Sequence, residues 1–202
     1  MLFIKRYCLI CSMLPFENDL QSSLTVLNKG GLILYPTDTV WGIGCDATNP
    51  IAVQRIFELK KRVDSKAMIV LVENENSLLK YITMNEVKVF DYIKGIHKPI
   101  TVIYPHAKNL AHNIVASDGS VAIRICKDAF CQSLLKSFHK PIVSTSANIS
   151  TYPTPLCFSD ISLDILEGVD YIVNHRQDET ELQQPSSIVK WEANGALTII
   201  RH

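Results

Sequence analysis

Short apolar runs of strand length, separated by stretches with helical periodicity, constrain the fold of this chain more than any other feature. The clearest runs are LILY at 32–35, MIVLV at 68–72, ITVIY at 100–104, VAIRI at 121–125 and PIVSTSA at 141–147. Between the first two, Asn49 and Pro50 form a helix start signal, followed by Val53, Ile56 and Phe57 at helical spacing. Strands that alternate with helices along the whole chain predict a mixed α/β fold.

The remaining elements follow from the same two periodicities. Further helices are predicted over 17–29, 74–82, 86–96, 128–138 and 159–167, and further strands over 171–174, 187–191 and 196–201. The chain has 202 residues, of which 47% are hydrophobic and 20% charged. This size and composition are typical of one folded domain with a sizeable core. The apolar runs are all shorter than the roughly twenty residues that span a bilayer.

The N-terminal residues and the cysteines favour a cytoplasmic protein. Residues 1–12 carry a short apolar run behind Lys5 and Arg6, but the run is shorter than a usual signal-peptide core and no cleavage site follows it. We predict an N-terminal extension at 1–12 and a domain at 13–202. The six scattered cysteines indicate buried thiols in a reducing compartment, and the Cys8–Cys11 pair lacks a second pair to complete a zinc site.

The charge balance and the missing motifs argue against several classes of protein. Twenty basic side chains balance twenty acidic ones, so the overall field does not favour coating of nucleic acid or anionic membrane, although a local basic patch is allowed. The motifs GxxxxGK(S/T), GxGxxG, GxSxG and HExxH are all absent. A covalent-nucleophile or metalloenzyme mechanism therefore lacks support.

Three polar clusters adjoin predicted strand ends and are the candidate site. YPTDTVWGIGCDA at 35–47 offers two threonine hydroxyls and glycines that let the backbone approach a ligand closely. KKRVDSK at 60–66 carries four cations, and Lys60 and Arg62 point the same way if the chain becomes extended near Lys60. STSANIS at 144–150 combines four hydroxyls with an amide that can bind phosphate or carboxylate oxygens. The structural alternatives are a glycine-containing turn, a solvated helix end and a polar capping turn.

A cation inside an apolar strand requires a partner. Arg124 lies within VAIRI, and burial of an unpaired charge is costly. Its planar guanidinium matches a carboxylate bidentately. A structural Asp or Glu and a substrate carboxylate satisfy this requirement equally well, and the sequence leaves both open.

Taken together, these segments resemble the YrdC family, over about residues 17–202. The family's order and spacing are kept by GLILYPTDTVWGIGCDA, KKR, AMIVLV, ITVIYP, SVAIR, PIVSTSANIS, PSSIV and the late Arg201. The resemblance is to the short bacterial type and implies a single α/β domain whose twisted mixed sheet, flanked by helices, surrounds an open basic cavity. It implies L-threonylcarbamoyladenylate synthase activity, which makes threonylcarbamoyl-AMP and pyrophosphate from L-threonine, bicarbonate or CO2, and ATP. The product serves threonylcarbamoyladenosine modification of tRNA.

The resemblance also implies roles for individual residues. Lys60 and Arg62 would meet the ATP phosphates as catalytic residues. Further ATP contacts would come from Lys66, Ser120, Ser146, Asn148, Thr154 and Arg201. The threonine or its carbamoyl derivative would be held by Thr39, Arg124, Ser144 and Ser186.

Four positions depart from the family pattern. Val63 replaces the proline usual after K-x-R, and Thr151 replaces the glycine usual after SANIS, so both bear on loop geometry. Leu71 stands where many longer relatives have a histidine that touches the amino acid. Trp41 stands where Tyr or Phe is common. None of the four removes a charged catalytic group.

The implied reaction needs no covalent nucleophile and no dedicated protein metal site. Mg²⁺ is expected to arrive with ATP, held by phosphates and water. Expected partners are the three substrates and the tRNA threonylcarbamoyl-transferase proteins that consume the product, with tRNA contact as a further option and no membrane.

The alternative from another class is a double-stranded RNA or tRNA-binding module. In that case a concave basic surface would bind backbone phosphates. The neutral total charge and the lack of an aromatic-rich RNA motif count against this as the main activity.

Overall fold

The computed structural model describes residues 14–61, 68–83, 88–96, 98–180, 185–192 and 196–201. The helices are α1 (Glu17–Asn28), α2 (Pro50–Leu59), α3 (Glu75–Leu78), α4 (Lys88–Lys94), α5 (Ala129–Phe138) and α6 (Leu163–Gly168). The strands are β1 (Ile33–Tyr35), β2 (Gly42–Gly44), β3 (Ile69–Val72), β4 (Ile100–Tyr104), β5 (Val121–Ile125), β6 (Ile142–Ser146), β7 (Tyr171–Ile172), β8 (Ser187–Trp191) and β9 (Leu197–Arg201). Short 3₁₀ turns lie at His112–Ile114 and Phe158–Asp160.

The described strands form one mixed sheet in the order β7-β1-β2-β6-β3-β5-β4-β8-β9. The pairs β1–β7, β3–β5 and β4–β8 are parallel, and the other neighbours are antiparallel. The predicted mixed α/β class is therefore confirmed. In the described ranges, no helix is both long enough and apolar enough to cross a membrane.

The two faces of the sheet bury different helices. In β3, Val70 and Val72 pack into the core that contains α2, while Leu71 joins the core of α1 and α5. Alternate side chains of a strand point to opposite faces, which accounts for this division. Arg124 is the register neighbour of Leu71, and Ser144 is the neighbour of Ile69. Both polar residues therefore lie on the α1–α5 face.

Local signals in the sequence set the helix ends. The Asn49 side chain accepts hydrogen bonds from the backbone N–H groups of Ile51 (3.0 Å) and Ala52 (3.3 Å), with Pro50 in the first turn. Asp128 caps α5 in the same way, accepting from the N–H of Cys131 at 2.9 Å. These contacts satisfy donors that a helix leaves free at its first turn.

Three elements differ from the sequence prediction. The segment at 42–44, predicted as part of a glycine-containing polar cluster, is the strand β2 between β1 and β6. The helix predicted over 74–82 is only the short α3, and the one over 159–167 is a 3₁₀ turn followed by α6. Periodicity cannot detect β2, because two glycines leave only Ile43 to mark a strand.

The described cysteines are free, and three of the four are buried as predicted. Cys45, Cys126 and Cys131 are buried, and Cys157 is partly exposed. Burial raises the pKa of the Cys45 and Cys131 thiols, so both stay protonated and unreactive at neutral pH. The predicted extension at 1–12, with Cys8 and Cys11, lies outside the described residues.

Gly44 sits where β2 is held closely between its neighbours. A Cβ at this position would lie 2.6 Å from Tyr35 Cε1 and 2.9 Å from the carbonyl oxygen of Val143. We expect Gly44→Ala to lower the free energy of unfolding by about 2 kcal/mol, because the added methyl forces the strands apart. Denaturant unfolding measures this. The control is Gly95→Ala, whose nearest neighbour would be 3.7 Å away; an equal loss in both variants would contradict the prediction.

Asp19 ties α1 to the chain that follows β7. Its carboxylate accepts hydrogen bonds from the Tyr171 hydroxyl at 2.6 Å, the N–H and side-chain amide of Asn174 at 3.0 and 2.9 Å, and the His175 N–H at 2.9 Å. Burial by itself raises the pKa of the Asp19 carboxyl, but the hydrogen bonds outweigh it and the pKa is lowered. The ionised form is therefore favoured in the folded protein.

This shift sets the sign of a pH effect. The stabilisation from Asp19 is fully present above the carboxyl pKa of the unfolded chain and is lost as the pH falls through the lower folded value. We expect Asp19→Asn to be less stable at neutral pH and to lose less stability between about pH 5 and about pH 2. Urea unfolding across that range measures it, with the exposed Asp178→Asn as control. Parallel pH profiles for Asp19→Asn and the wild type would refute it.

Candidate functional site

A cleft with a volume of about 190 Å³ opens on the α1–α5 face of the sheet. Its described lining contains two arginines and no acidic residue. Apolar side chains including Met68, Ile69 and Ile188 form part of its wall. Six residues with hydroxyl side chains also line it, namely Thr39, Ser144, Thr145, Ser146, Thr154 and Ser186. Two cations and many hydroxyls in a partly apolar cleft suit an anionic ligand of moderate size.

Seven of the residues predicted for the site line this one cleft. They are Thr39, Arg124, Ser144, Ser146, Thr154, Ser186 and Arg201. They come from the loop after β1, from β5, β6 and β9, and from the chain around 154 and 186, so the sheet brings together segments far apart in sequence.

Arg124 is the most buried cation of the cleft, with only 3% of its surface exposed. Its Nη1 donates to Thr39 Oγ1 at 3.1 Å, and its Nη2 lies 3.2 Å from Asp38 Oδ1. Its Nε is buried and has no hydrogen-bond partner among the described residues. Asp38 thus provides the structural acid that the sequence left open, while a donor remains for a ligand carboxylate. Both alternatives are compatible in one arrangement.

Hydrogen bonds among its own residues stabilise the segment from Ser146, at the end of β6, into the loop that follows. Ser146 Oγ donates to Asn148 Oδ1 at 2.6 Å, and Asn148 Nδ2 donates to the carbonyls of Ile149 and Tyr152. The Asn148 side chain is therefore engaged inside the loop, while Ser146 also lines the cleft. A direct contact of either residue with nucleotide stays a prediction.

Lys60 hydrogen-bonds to the backbone at this loop through its buried side chain. Helix α2 ends at Leu59, and Lys61 has a positive φ of 47°, so the chain leaves the helix at Lys60, while the extended chain that would align Lys60 with Arg62 lies outside the described residues. The Lys60 side chain is 1% exposed, and its Nζ donates to the carbonyls of Ser146 (2.5 Å) and Asn148 (2.6 Å). Its ammonium therefore positions the backbone of the predicted phosphate-binding loop. Its partner Arg62, with Val63 and Lys66, lies outside the described residues.

Ser186 forms another part of the cleft wall. Its hydroxyl shares a hydrogen bond of 2.9 Å with Thr101 Oγ1, which is fully buried. Its carbonyl accepts from Arg201 Nη2 at 2.8 Å and Nε at 3.3 Å. This contact holds the guanidinium of the exposed edge strand β9 at the rim of the cleft.

Ser120 lies apart from the described lining. It directly precedes β5 in the chain. Its N–H donates to Asp118 Oδ1 at 3.0 Å. Hydrogen bonds from the hydroxyl and N–H of Ser120 lower the pKa of the Asp118 carboxyl. Its predicted nucleotide contact stays untested.

The described departures from the family pattern are accommodated in different ways. Leu71 is buried in the α1–α5 core, so it supplies packing beside Arg124. Trp41 lines the cleft and packs on Phe158, with ring centroids 4.9 Å apart. Thr151 is exposed after the Ser146–Asn148 loop.

The sequence reasoning noted the Thr37 hydroxyl but missed Asp38, the acid beside it. Asp38 pairs with Arg124, and the Thr37 hydroxyl lies 3.0 Å from that of Thr39. Both residues belong to the YPTDT segment, in which the sequence indicated only the two threonine hydroxyls as candidate ligand contacts. A buried arginine needs an acidic partner, and this segment contains an aspartate. Together these two facts could have identified Asp38 from the sequence.

The fold and cleft define a class of protein, a mixed α/β domain with a cleft on one face of its sheet that is lined by arginine and hydroxyl side chains. A family model for Sua5, YciO and YrdC proteins, described as telomere recombination, matches residues 25–202. The chain belongs to the Sua5/YciO/YrdC family.

Named relatives agree with this assignment. A threonylcarbamoyl-AMP synthase of Pseudoalteromonas translucida (strain TAC 125) is 32% identical over 161 residues, covering 78% of this chain and 86% of the relative. E. coli YciO has the same fold, with a TM-score of 0.79 at 19% identity over 92% of this chain and 89% of its own. P. abyssi Sua5 complexed with L-threonine also has this fold, with a TM-score of 0.79 at 22% identity over 90% of this chain. The present chain spans 53% of that Sua5 chain.

Proposed function

We propose that this protein is an L-threonylcarbamoyladenylate synthase, an enzyme that transfers the AMP group of ATP to threonine carbamate. One observation carries the proposal: the cleft unites the motif residues of a family whose curated relatives bear the name threonylcarbamoyl-AMP synthase. Its two arginines and its hydroxyls suit a ligand pair made of a nucleotide and an amino acid.

The threonine end of the cleft is placed at Arg124. The carboxylate of the amino acid accepts from the buried guanidinium, whose Nε has no partner among the described side chains and backbone groups. Thr39 and Ser144 line the cleft beside it and orient the remainder of the molecule. That a relative has been crystallised with L-threonine supports this choice of amino acid.

The nucleotide end is placed between Ser146, Thr154 and Arg201. These residues line the cleft, and Arg201 is held at its rim by the Ser186 carbonyl. In the ranges that the structure covers, no group of three His, Cys, Asp or Glu side chains could hold a metal ion. Mg²⁺ is accordingly proposed to enter as the ATP complex, with water and phosphate oxygens as its main ligands.

The reaction proceeds without a covalent enzyme intermediate. The threonine amine adds to CO2 and loses a proton, which gives the carbamate. A carbamate oxygen then attacks the α-phosphorus of ATP, and the bond from that phosphorus to the bridging oxygen breaks, so pyrophosphate leaves. The cleft contributes by holding two anions together and neutralising charge that builds on the phosphates.

Mass spectrometry of the reaction mixture tests the proposal. We expect threonylcarbamoyl-AMP from ATP, L-threonine and bicarbonate with Mg²⁺, and pyrophosphate release that stops when any one is omitted. Isotopic label in bicarbonate must appear in the product. Absence of the product would overturn the proposal. Thermal stabilisation by tRNA alone, with none by ATP and threonine, would favour the RNA-binding alternative.

The same proposal places the protein in a reaction sequence. Its product is a reactive mixed anhydride, so a transferase that acts on tRNA must consume it. We accordingly propose the tRNA threonylcarbamoyl-transferase proteins as functional partners and the cytoplasm as the location.

A further inference from the structure

We propose that Thr37, which is absent from the cleft lining, is a positioning residue that fixes the hydroxyl of Thr39 as a hydrogen-bond acceptor toward the amine of the amino acid. The inference rests on the proposed function, because it assigns a place to one group of that substrate. Thr37 is 2% exposed and Thr39 is 4% exposed, so both hydroxyls are shielded from bulk water.

Four contacts form a chain of hydrogen bonds. The Thr37 hydroxyl donates to the Val40 carbonyl at 2.9 Å and lies 3.0 Å from Thr39 Oγ1. Thr37 Oγ1 also accepts from the Thr39 N–H at 3.0 Å. Thr39 Oγ1 in turn accepts from Arg124 Nη1 at 3.1 Å.

Counting hydrogens gives this chain one direction. A hydroxyl has a single proton, and that of Thr37 goes to the Val40 carbonyl, which can only accept. The hydrogen of the Thr37–Thr39 bond must therefore come from Thr39. With its proton on Thr37 and one lone pair on Arg124, Thr39 Oγ1 has one lone pair left.

The cleft therefore presents an acceptor and a donor side by side. Thr39 offers a lone pair, and Arg124, whose Nη1 lies 3.1 Å from Thr39 Oγ1, offers the guanidinium N–H groups that Thr39 and Asp38 do not use. An α-amino acid carries a donor and an acceptor on the same carbon, its amine and its carboxylate. The arrangement matches carboxylate on Arg124 and amine on Thr39, because the remaining lone pair of Thr39 Oγ1 can only accept a hydrogen bond.

A set of variants tests the role of Thr37. Thr37→Val keeps the shape and removes the hydroxyl, so the Thr39 proton becomes free to point elsewhere. We expect a rise of about tenfold in the dissociation constant for L-threonine, measured by titration calorimetry. Thr37→Ser retains the hydroxyl and is expected to stay close to wild type. Because Arg176 Nη1 holds the Thr37 carbonyl at 3.2 Å, the loop has an anchor independent of this side chain.

A double-mutant cycle separates positioning from general loosening. If Thr37 acts through Thr39, Thr37→Val must have no further effect, within about twofold, in the Thr39→Val background. The penalty must also be equal for L-threonine and L-α-aminobutyrate, since these share the amine and differ in the side-chain hydroxyl. Additive penalties, or a penalty that vanishes with L-α-aminobutyrate, would overturn the inference.

The outcomes also distinguish this inference from the proposed function. A wild-type protein that binds no L-threonine overturns both. A wild type that binds L-threonine, with Thr37→Val indistinguishable from it, overturns only the role of Thr37. If the protein binds L-threonine but forms no product, the proposed reaction is wrong. The double-mutant cycle on L-threonine binding then decides this inference by itself.

Discussion

Arg124→Ala is expected to raise the Michaelis constant for L-threonine by at least about a hundredfold, since truncating one partner of a buried, hydrogen-bonded charge pair between protein and ligand costs about 2–5 kcal/mol of binding free energy. The guanidinium is almost fully buried and is the only cation that the structure places beside Thr39 within the described lining. Removing it takes away the carboxylate donor and leaves Asp38 without its ion-pair partner. Steady-state pyrophosphate release measured against threonine concentration reports the change.

Two further variants separate a loss of threonine binding from a loss of protein stability. The double variant Asp38→Asn with Arg124→Ala removes the unpaired carboxylate and keeps the protein comparable in folding. Arg55→Ala breaks another arginine–aspartate pair, in which Arg55 lies 2.9 and 3.0 Å from the Asp170 carboxylate oxygens and does not line the cleft. An unchanged threonine titration in the folded double variant would reduce Arg124 to a structural partner of Asp38.

Lys60→Met is expected to lower both the stability and the activity of the protein. The ammonium of Lys60 donates to two backbone carbonyls of the loop that contains Ser146, and methionine offers no donor. The Ser146 carbonyl still accepts from the Asn148 N–H at 2.9 Å, so it is chiefly the Asn148 carbonyl that loses its donor, at a cost of about 1–3 kcal/mol. The loop loses its anchor, so we expect pyrophosphate release to fall at least about a hundredfold. Denaturant unfolding and the pyrophosphate assay measure the two effects.

The neighbouring lysine provides the control. Lys61 is exposed, and its Nζ lies 3.8 Å from Asp164 at the surface, so Lys61→Met is expected to change stability by less than about 1 kcal/mol. If Lys60→Met were as stable as the wild type and inactive, the ammonium would serve as a phosphate ligand without holding the loop. Normal stability together with normal activity would remove both roles.

The predicted class of fold and most of its elements follow directly from local patterns. The apolar runs at 69–72, 100–104, 121–125 and 142–146 are strands, and the Asn49–Pro50 signal starts α2. These features depend on side-chain periodicity and on caps within a few residues. They can be predicted from the sequence because each depends only on residues that are close together in the chain.

The strand β2 and the lengths of the short helices were not predictable in this way. Gly42 and Gly44 lie in a strand because β1 and β6 approach closely on both sides, as the near contacts of a Cβ at Gly44 indicate. Glycine has no preference for a strand, so tertiary packing alone decides the outcome.

The amino-acid sequence by itself determined the mixed α/β class, the three polar clusters and the need of Arg124 for a partner, because these depend on residue type and local spacing. Only the tertiary structure decided that Asp38 is this partner and that Lys60 faces the loop backbone from behind. It alone also brought Arg124 within hydrogen-bond distance of Thr39. These contacts join segments far apart in sequence, and strand order and side-chain burial set them.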